Sequence, residues 1–322
     1  MSGNPVQRPL AILAVLVAAA SCRMQAQQPT VQSGTTLLQA GDPAHARNVF
    51  ESILAADPGS DAAQQGEVAA SERIALDQRA QGKMADALQT LMRAGQYAPQ
   101  NARLAYDLGV LEDEMHLYPE ATASLDKAEQ LHYDDPTLLY AEARVFLDRQ
   151  QLNPAEEKML AYLKVRPNDA TAYYGLGRIY QLGLQFDKAR LAFQKSIDLD
   201  PEQTEAWYQL GEIALEENHD AEALTDFGKT LARNPLHGGA LAGAGEACFH
   251  QKQYRQALDY LNRAVAAAPN YGPGHYYLGL TLARLGRKDE SQRELATAAK
   301  LADAENRQSA THYQVTKTNE PQ

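Results

Sequence analysis

The side chains able to do chemistry in this chain are few, and their spacing argues against a reaction centre. Only two cysteines occur, Cys22 and Cys248. That is too few for a disulfide framework, and the CxxC spacing of a zinc site is absent. The eight histidines are scattered, with no HExxH or other ligand-spaced pair among them. His250 and His275 are too isolated to suggest triad or metal chemistry. Glu112, Asp113 and Glu114 are consecutive, so on a helix they fan around the axis instead of converging on one substrate. Gly243 to Gly245 and Gly272 to Gly274 mimic fragments of phosphate-binding loops, but no strand precedes either. These residues supply no catalytic set, metal site or cofactor site, so a non-catalytic protein is expected.

Composition points the same way. The chain has 322 residues, of which 44% are apolar and 22% charged, enough for a large buried core. Its formal net charge of −11 makes nucleic acid an unsuitable partner, because phosphate binding needs a concentrated basic face.

The N-terminus reads as a targeting segment. Residues 1–9 carry one charge, Arg8, and Leu10 to Ala20 is an unbroken apolar run followed by small residues. This is the layout of a secretory signal over residues 1–21, too short to span a bilayer, which needs about 20 apolar residues. Ala19-Ala20-Ser21-Cys22 resembles a bacterial lipobox, although alanine stands where leucine is usual. The resemblance implies acylation of Cys22, a short tether over 22–26, and a periplasmic, outer-membrane-anchored protein; the alternative is a signal that is simply cleaved and a secreted protein. Several acyl chains anchor stably, at about 0.8 kcal/mol per buried methylene.

The elements that must position everything else recur with one period. Pro167, Pro201, Pro235 and Pro269 are 34 residues apart, and Pro99 lies two periods before Pro167. Ala87, Ala121, Ala155, Ala189, Ala223 and Ala257 repeat at the same interval, with Ser291 in the next place. Gly109, Ala143, Gly177, Gly211, Gly245 and Gly279 form a third ladder. Large residues at helical spacing, such as Tyr173, Leu176 and Tyr180, give each unit an apolar stripe. Small residues at Gly177 and Ala189 allow two helices to approach closely. Proline ends the second helix of the pair. Gly41, Gly82, Gly183 and Gly286 are placed to take left-handed caps between the two helices.

This period and pattern resemble the tetratricopeptide repeat. Trp207, Leu210, Gly211, Ala223, Phe227 and Pro235 carry the resemblance in one unit; Tyr173, Leu176, Gly177, Tyr180, Ala189, Phe193 and Pro201 carry it in the unit before. The resemblance implies an all-α solenoid, a right-handed superhelix of about eight helix-turn-helix units over residues 27–305, with a cap remnant and tail over 306–322. The units begin near Gln27, Val68, Ala102, Pro136, Ala170, Thr204, Gly238 and Gly272. Pro58 to Pro99 is 41 residues, seven more than the period, which predicts a first helix in the second unit longer by nearly two turns. Tyr133 replaces proline in the third unit, and Asp303 replaces it in the last, where the second helix is expected to run on or pass to a cap.

In this family the first helices of the units line a concave groove where ligands usually lie. The place after Trp207 reads Tyr106, Tyr140, Tyr174, Tyr208, Ala242 and Tyr276 down the array. Four residues further, on the same face, come Val110, Arg144, Arg178, Glu212, Glu246 and Leu280, with Glu216 nearby. Two readings of the tyrosines stay open: packing against adjacent units, or rigid contact surface for an extended peptide. The shift from basic to acidic residues suits a peptide oriented by charge. The lysine-and-asparagine pairing by which chaperone-binding members clamp a terminal carboxylate is absent from these places. The resemblance thus implies a protein or peptide partner held in the groove, or a structural subunit of a bacterial envelope machine with its convex face or its ends as the interface. Cys248 falls at a buried position of a first helix and reads as a core thiol.

Overall fold

A computed structural model describes residues 29–318, all of whose regular elements are helices. The signal, the tether and Cys22 lie outside the described residues. The chain divides into two compact units, one ending at Leu138 and one beginning at Leu139.

The first unit holds three helical hairpins: α1 (Val31–Gln39) with α2 (Pro43–Ala56), α3 (Asp61–Ala80) with α4 (Met84–Tyr97), and α5 (Ala102–Glu114) with α6 (Tyr118–Gln130). The second holds five: α7 (Thr137–Asp148) with α8 (Leu152–Val165), α9 (Ala170–Leu182) with α10 (Phe186–Leu199), α11 (Thr204–Glu216) with α12 (Asp220–Arg233), α13 (Gly238–His250) with α14 (Tyr254–Ala267), and α15 (Gly272–Arg284) with α16 (Lys288–Thr318). Helix α7 begins two residues before the boundary. Within each unit a hairpin packs on its sequence neighbour, the arrangement expected of stacked repeats.

The ladders explain the stacking. All six period-spaced alanines, Ala87 to Ala257, are fully buried, and Ser291 in the seventh place is nearly so. A Cβ at Gly177 would stand 2.5 Å from the Phe193 ring, and one at Gly211 2.6 Å from Phe227, so only glycine lets the second helix of each hairpin seat its phenylalanine. Both phenylalanines are fully buried. Helices α4, α8, α10, α12 and α14 each stop two residues before a ladder proline. Helix α3 has 20 residues against 13 in α5, α9 and α11, the extension of seven that the wider proline spacing predicts.

The turns inside the hairpins differ from expectation in one respect. Gly41, Gly82 and Gly286 are left-handed, with φ of 79°, 74° and 81°. Gly183 is not: its φ is −80°, and Leu184 takes the left-handed place at 55°. The period assigns that place to Gly82, His116, Gln150, Leu184, Asn218, Lys252 and Gly286, all with positive φ. The next amide closes a six-to-one bond each time, for example Gln185 N–H to the Tyr180 carbonyl at 2.9 Å. Hydrogen bonding of the turn outweighs the steric cost of an L-residue there.

The third hairpin replaces its proline with the same device. His132 is left-handed at φ 61°, and the Tyr133 amide donates to the Ala128 carbonyl at 3.0 Å. In the last hairpin, without proline, α16 runs uninterrupted through Asp303 to Thr318.

Candidate partner-binding site

The first helices of the hairpins bring the tyrosine ladder onto ring partners. In the first unit Tyr106 stacks on Tyr133, centroids 4.7 Å apart and planes 17° apart. In the second, Tyr140 meets Tyr162 at 5.3 Å, Tyr174 meets Phe193 at 5.7 Å and Tyr208 meets Phe227 at 6.0 Å. These four ladder tyrosines are half-buried, whereas Tyr276 remains 47% exposed. Each ring therefore fixes its first helix on the second helix or the loop that follows, while keeping one edge open.

The residues four places on do share the ladder's face. The Arg178 guanidinium stands 3.5 Å from the Tyr174 hydroxyl, and Arg144 lies close enough to Tyr140 to act on its charge. The Tyr208 hydroxyl hydrogen-bonds with Glu212 and with Tyr271.

The ladder's gap coincides with an open cavity of about 860 Å³ in the second unit. Helix α11 contributes Glu212, Leu215 and Glu216; α13 contributes Ala242, Gly243 and Glu246; α15 and its lead-in contribute Tyr271, Pro273, Tyr276 and Tyr277; α16 closes one side with Leu295, Ala298, Ala299 and Ala302. Of the ladder residues, Glu212, Glu246 and Tyr276 meet here, together with Ala242 and Glu216. Tyr106, Tyr140, Arg144, Tyr174, Arg178 and Tyr208 lie outside its lining.

Local sequence accounts for the opening. The residue before each first helix is its N-cap, and Asn101, Asp169 and His237 accept a hydrogen bond there from the amide three residues on. Tyr271 holds the same place and, like Ser60 and Gln203, makes no such bond. It packs, partly buried, against the cluster of Leu241, Ala242 and Ala264, the cluster that holds the ladder's gap residue. Small side chains on α16, three alanines at spacings of one and three, leave the far wall set back.

The cavity is electrostatically one-sided. Burial pushes the Glu212 carboxyl up to about 7, and the neighbouring Glu246 and Glu216 charges add to the rise, against the lowering effect of the Tyr208 hydroxyl. This modifies the simple reading of Glu212 as a fixed negative charge. Burial likewise raises Glu246, which accepts a 2.6 Å hydrogen bond from the Tyr277 hydroxyl. Among the described residues, no lysine or arginine lines the cavity. Among the described residues, no group of three or more histidine, cysteine, aspartate or glutamate side chains is placed to hold a metal ion.

Two other expectations meet the structure differently. Cys248 is fully buried, and burial pushes its thiol up to about 11, as a core position requires. His250 and His275, too isolated in sequence to suggest triad or metal chemistry, each pair with a carboxylate. His250 Nδ1 is 3.0 Å from Asp220 and Nε2 is 3.8 Å from Glu246. His275 bridges Glu294, at 2.6 Å, and the Pro269 carbonyl, at 3.0 Å, tying α15 to α16 and the preceding loop. Partners 19 or 30 residues away follow no helical spacing. Sequence reasoning also missed Tyr271, Tyr277 and the α16 wall. Tyr271 was discoverable, as an aromatic in a column of capping residues.

Residues 140–184, 183–229 and 221–272 match the family model described as the tetratricopeptide repeat, all within the second unit. A chain of the APC/C hetero-tetramer Cut9–Hcn1 superposes with TM-score 0.60 at 15% identity, covering 90% of this chain and 56% of the other. A tetratricopeptide repeat protein from Parabacteroides merdae superposes with TM-score 0.56 at 17% identity, covering 78% of this chain and 97% of that one. No curated protein matches. The fold is the all-α tetratricopeptide-repeat fold.

Proposed function

We propose, from that fold and from the cavity at the ladder's gap, that the protein is a non-catalytic interaction scaffold that holds a segment of a partner protein in its second unit. Tetratricopeptide repeats generally mediate protein–protein interaction, and stacked repeats create extended concave binding surfaces. The single observation carrying the reading is the cavity of about 860 Å³, a size typical of ligand sites, with apolar walls and a few convergent polar groups. Photo-crosslinking residues placed at Ala302, on the cavity wall, and at Leu191, on the opposite helix of a hairpin, test it in envelope fractions. Adducts of one protein at Ala302 and none at Leu191 are expected. Adducts confined to Leu191 refute it.

A specific observation favours the second reading, a structural subunit of an envelope assembly. Leu191 on α10 is 74% exposed beside a shallow groove of about 400 Å³ that also includes Trp207 and Lys229. Apolar exposure on a second helix of a hairpin suits a permanent convex-face contact. The crosslinks at Leu191 are its test.

Export and tethering belong to the same proposal. They rest on the apolar run from Leu10 to Ala20 and on Cys22 after Ser21. Among the described residues, no helix is long and apolar enough to cross a membrane. Metabolic labelling with palmitate is expected to mark the wild-type protein and to fail in Cys22→Ser. Equal labelling of both excludes the tether.

A further inference from the structure

We propose that the cavity between α11, α13, α15 and α16 is a subsite for a basic side chain, and that the partner segment presents a lysine or arginine flanked by apolar residues. The inference rests on the peptide-binding reading above and adds the chemical class of the occupant.

Charge complementarity selects it. Three carboxylates, Glu212, Glu216 and Glu246, face a cavity whose lining, among the described residues, holds no lysine or arginine. Some partly buried carboxylates elsewhere have cations close by: Glu142 has Lys158 at 2.7 Å, Asp226 has Lys229 at 3.0 Å and Glu114 has Arg79 at 2.5 Å, whereas the buried Glu67 has only the Ser71 hydroxyl, at 2.8 Å. Glu212 has hydroxyl donation from Tyr208 and Glu246 has it from Tyr277, with His250 at 3.8 Å the nearest basic ring to Glu246. Hydrogen bonds from neutral hydroxyls keep a carboxylate solvated but leave its charge uncompensated. An entering cation recovers part of that desolvation cost on binding.

The rest of the lining fits the stem of the same side chain. Leu215, Leu295, Pro273 and the α16 alanines offer an apolar wall for a chain of methylenes. Tyr276, 47% exposed, and Tyr277 stand with ring centroids 5.2 Å apart and planes at 84°, presenting an aromatic corner to a cation. A metal ion is a poorer occupant, since the carboxylates are not grouped to ligate one. An acidic side chain is repelled, and an uncharged one leaves the carboxylates uncompensated.

The test uses the full chain and three fluorescein-labelled, end-capped peptides, Gly-Leu-Lys-Leu-Gly and its Gln and Glu analogues, read by fluorescence anisotropy. The lysine peptide is expected to bind at least about tenfold more tightly than the glutamine peptide, the glutamate peptide not at all. The double variant Glu212→Gln, Glu246→Gln is expected to erase the lysine preference. Ala299→Trp, on an exposed position of the α16 wall, is expected to block the lysine peptide, with Ala302→Trp as a second plug; circular dichroism at 222 nm verifies folding of each. If glutamine and lysine peptides bind equally and both plugs block them, the basic-side-chain assignment falls and the peptide site stands. If no peptide binds at concentrations up to about 1 mM, or neither plug blocks binding, both fall.

Discussion

Replacing Glu212 with glutamine is expected to stabilise the protein at alkaline pH. Burial and two neighbouring carboxylates hold the Glu212 carboxyl at about 7 in the folded chain, against an ordinary value of 4.5. Above pH 7 the folded state therefore carries a charge it disfavours, and the difference corresponds to about 3 kcal/mol. Glutamine keeps the acceptor for the Tyr208 hydroxyl and the side-chain volume while removing the charge. The expected gain is about 1–3 kcal/mol at pH 8, because relaxation and water entry recover part of the full figure. The sign fixes the pH window. Between 4.5 and 7 the folded state binds more protons than the unfolded one, so wild-type stability falls as pH rises through that range. The advantage of Glu212→Gln is then largest above pH 7 and fades towards pH 5. Trp207, the only tryptophan, sits in α11 with Glu212, so its fluorescence in a urea titration reports unfolding of this hairpin. Destabilisation at pH 8, or a gain equal at pH 8 and pH 5, refutes the reasoning. A gain at pH 8 accompanied by lost preference for a lysine peptide shows a residue kept for binding at the cost of stability.

Other expectations follow from the same packing and electrostatics. In the first unit Glu72 is also pushed up to about 7, by burial and by Asp107, so unfolding of that unit, followed by hydrogen exchange in α3, is expected to become easier between pH 5 and pH 8; protection that rises across this window contradicts it. Phe193→Ala removes a fully buried ring seated against Gly177 and is expected to cost about 3–5 kcal/mol, measured by chemical denaturation. Leu184→Gly relieves a left-handed leucine that is 73% exposed and is expected to gain up to about 1 kcal/mol, since the relief of about 1–2 kcal/mol exceeds the added chain entropy; a loss of thermal stability refutes this.

The sequence by itself determined the repeat. Period-spaced alanines, glycines and prolines encode a local rule: which face of each helix is small, where the second helix stops, and how far apart hairpins begin. Such contacts lie within one period, so they are legible in a single chain. The seven-residue extension of α3 was legible for the same reason, as nearly two helical turns preserve a buried face. The tyrosine ladder and the gap at Ala242 were also visible as a column.

Tertiary structure decided what the column does. Four ladder tyrosines are half-buried against rings on second helices or loops, and the open lining gathers where Ala242 interrupts the series. That cavity needs Tyr271 in place of a capping side chain, alanines from α16, and glutamates from two hairpins lining one space. None of these relations is periodic. Each depends on how three successive hairpins pack in space, and a period records only what every hairpin shares.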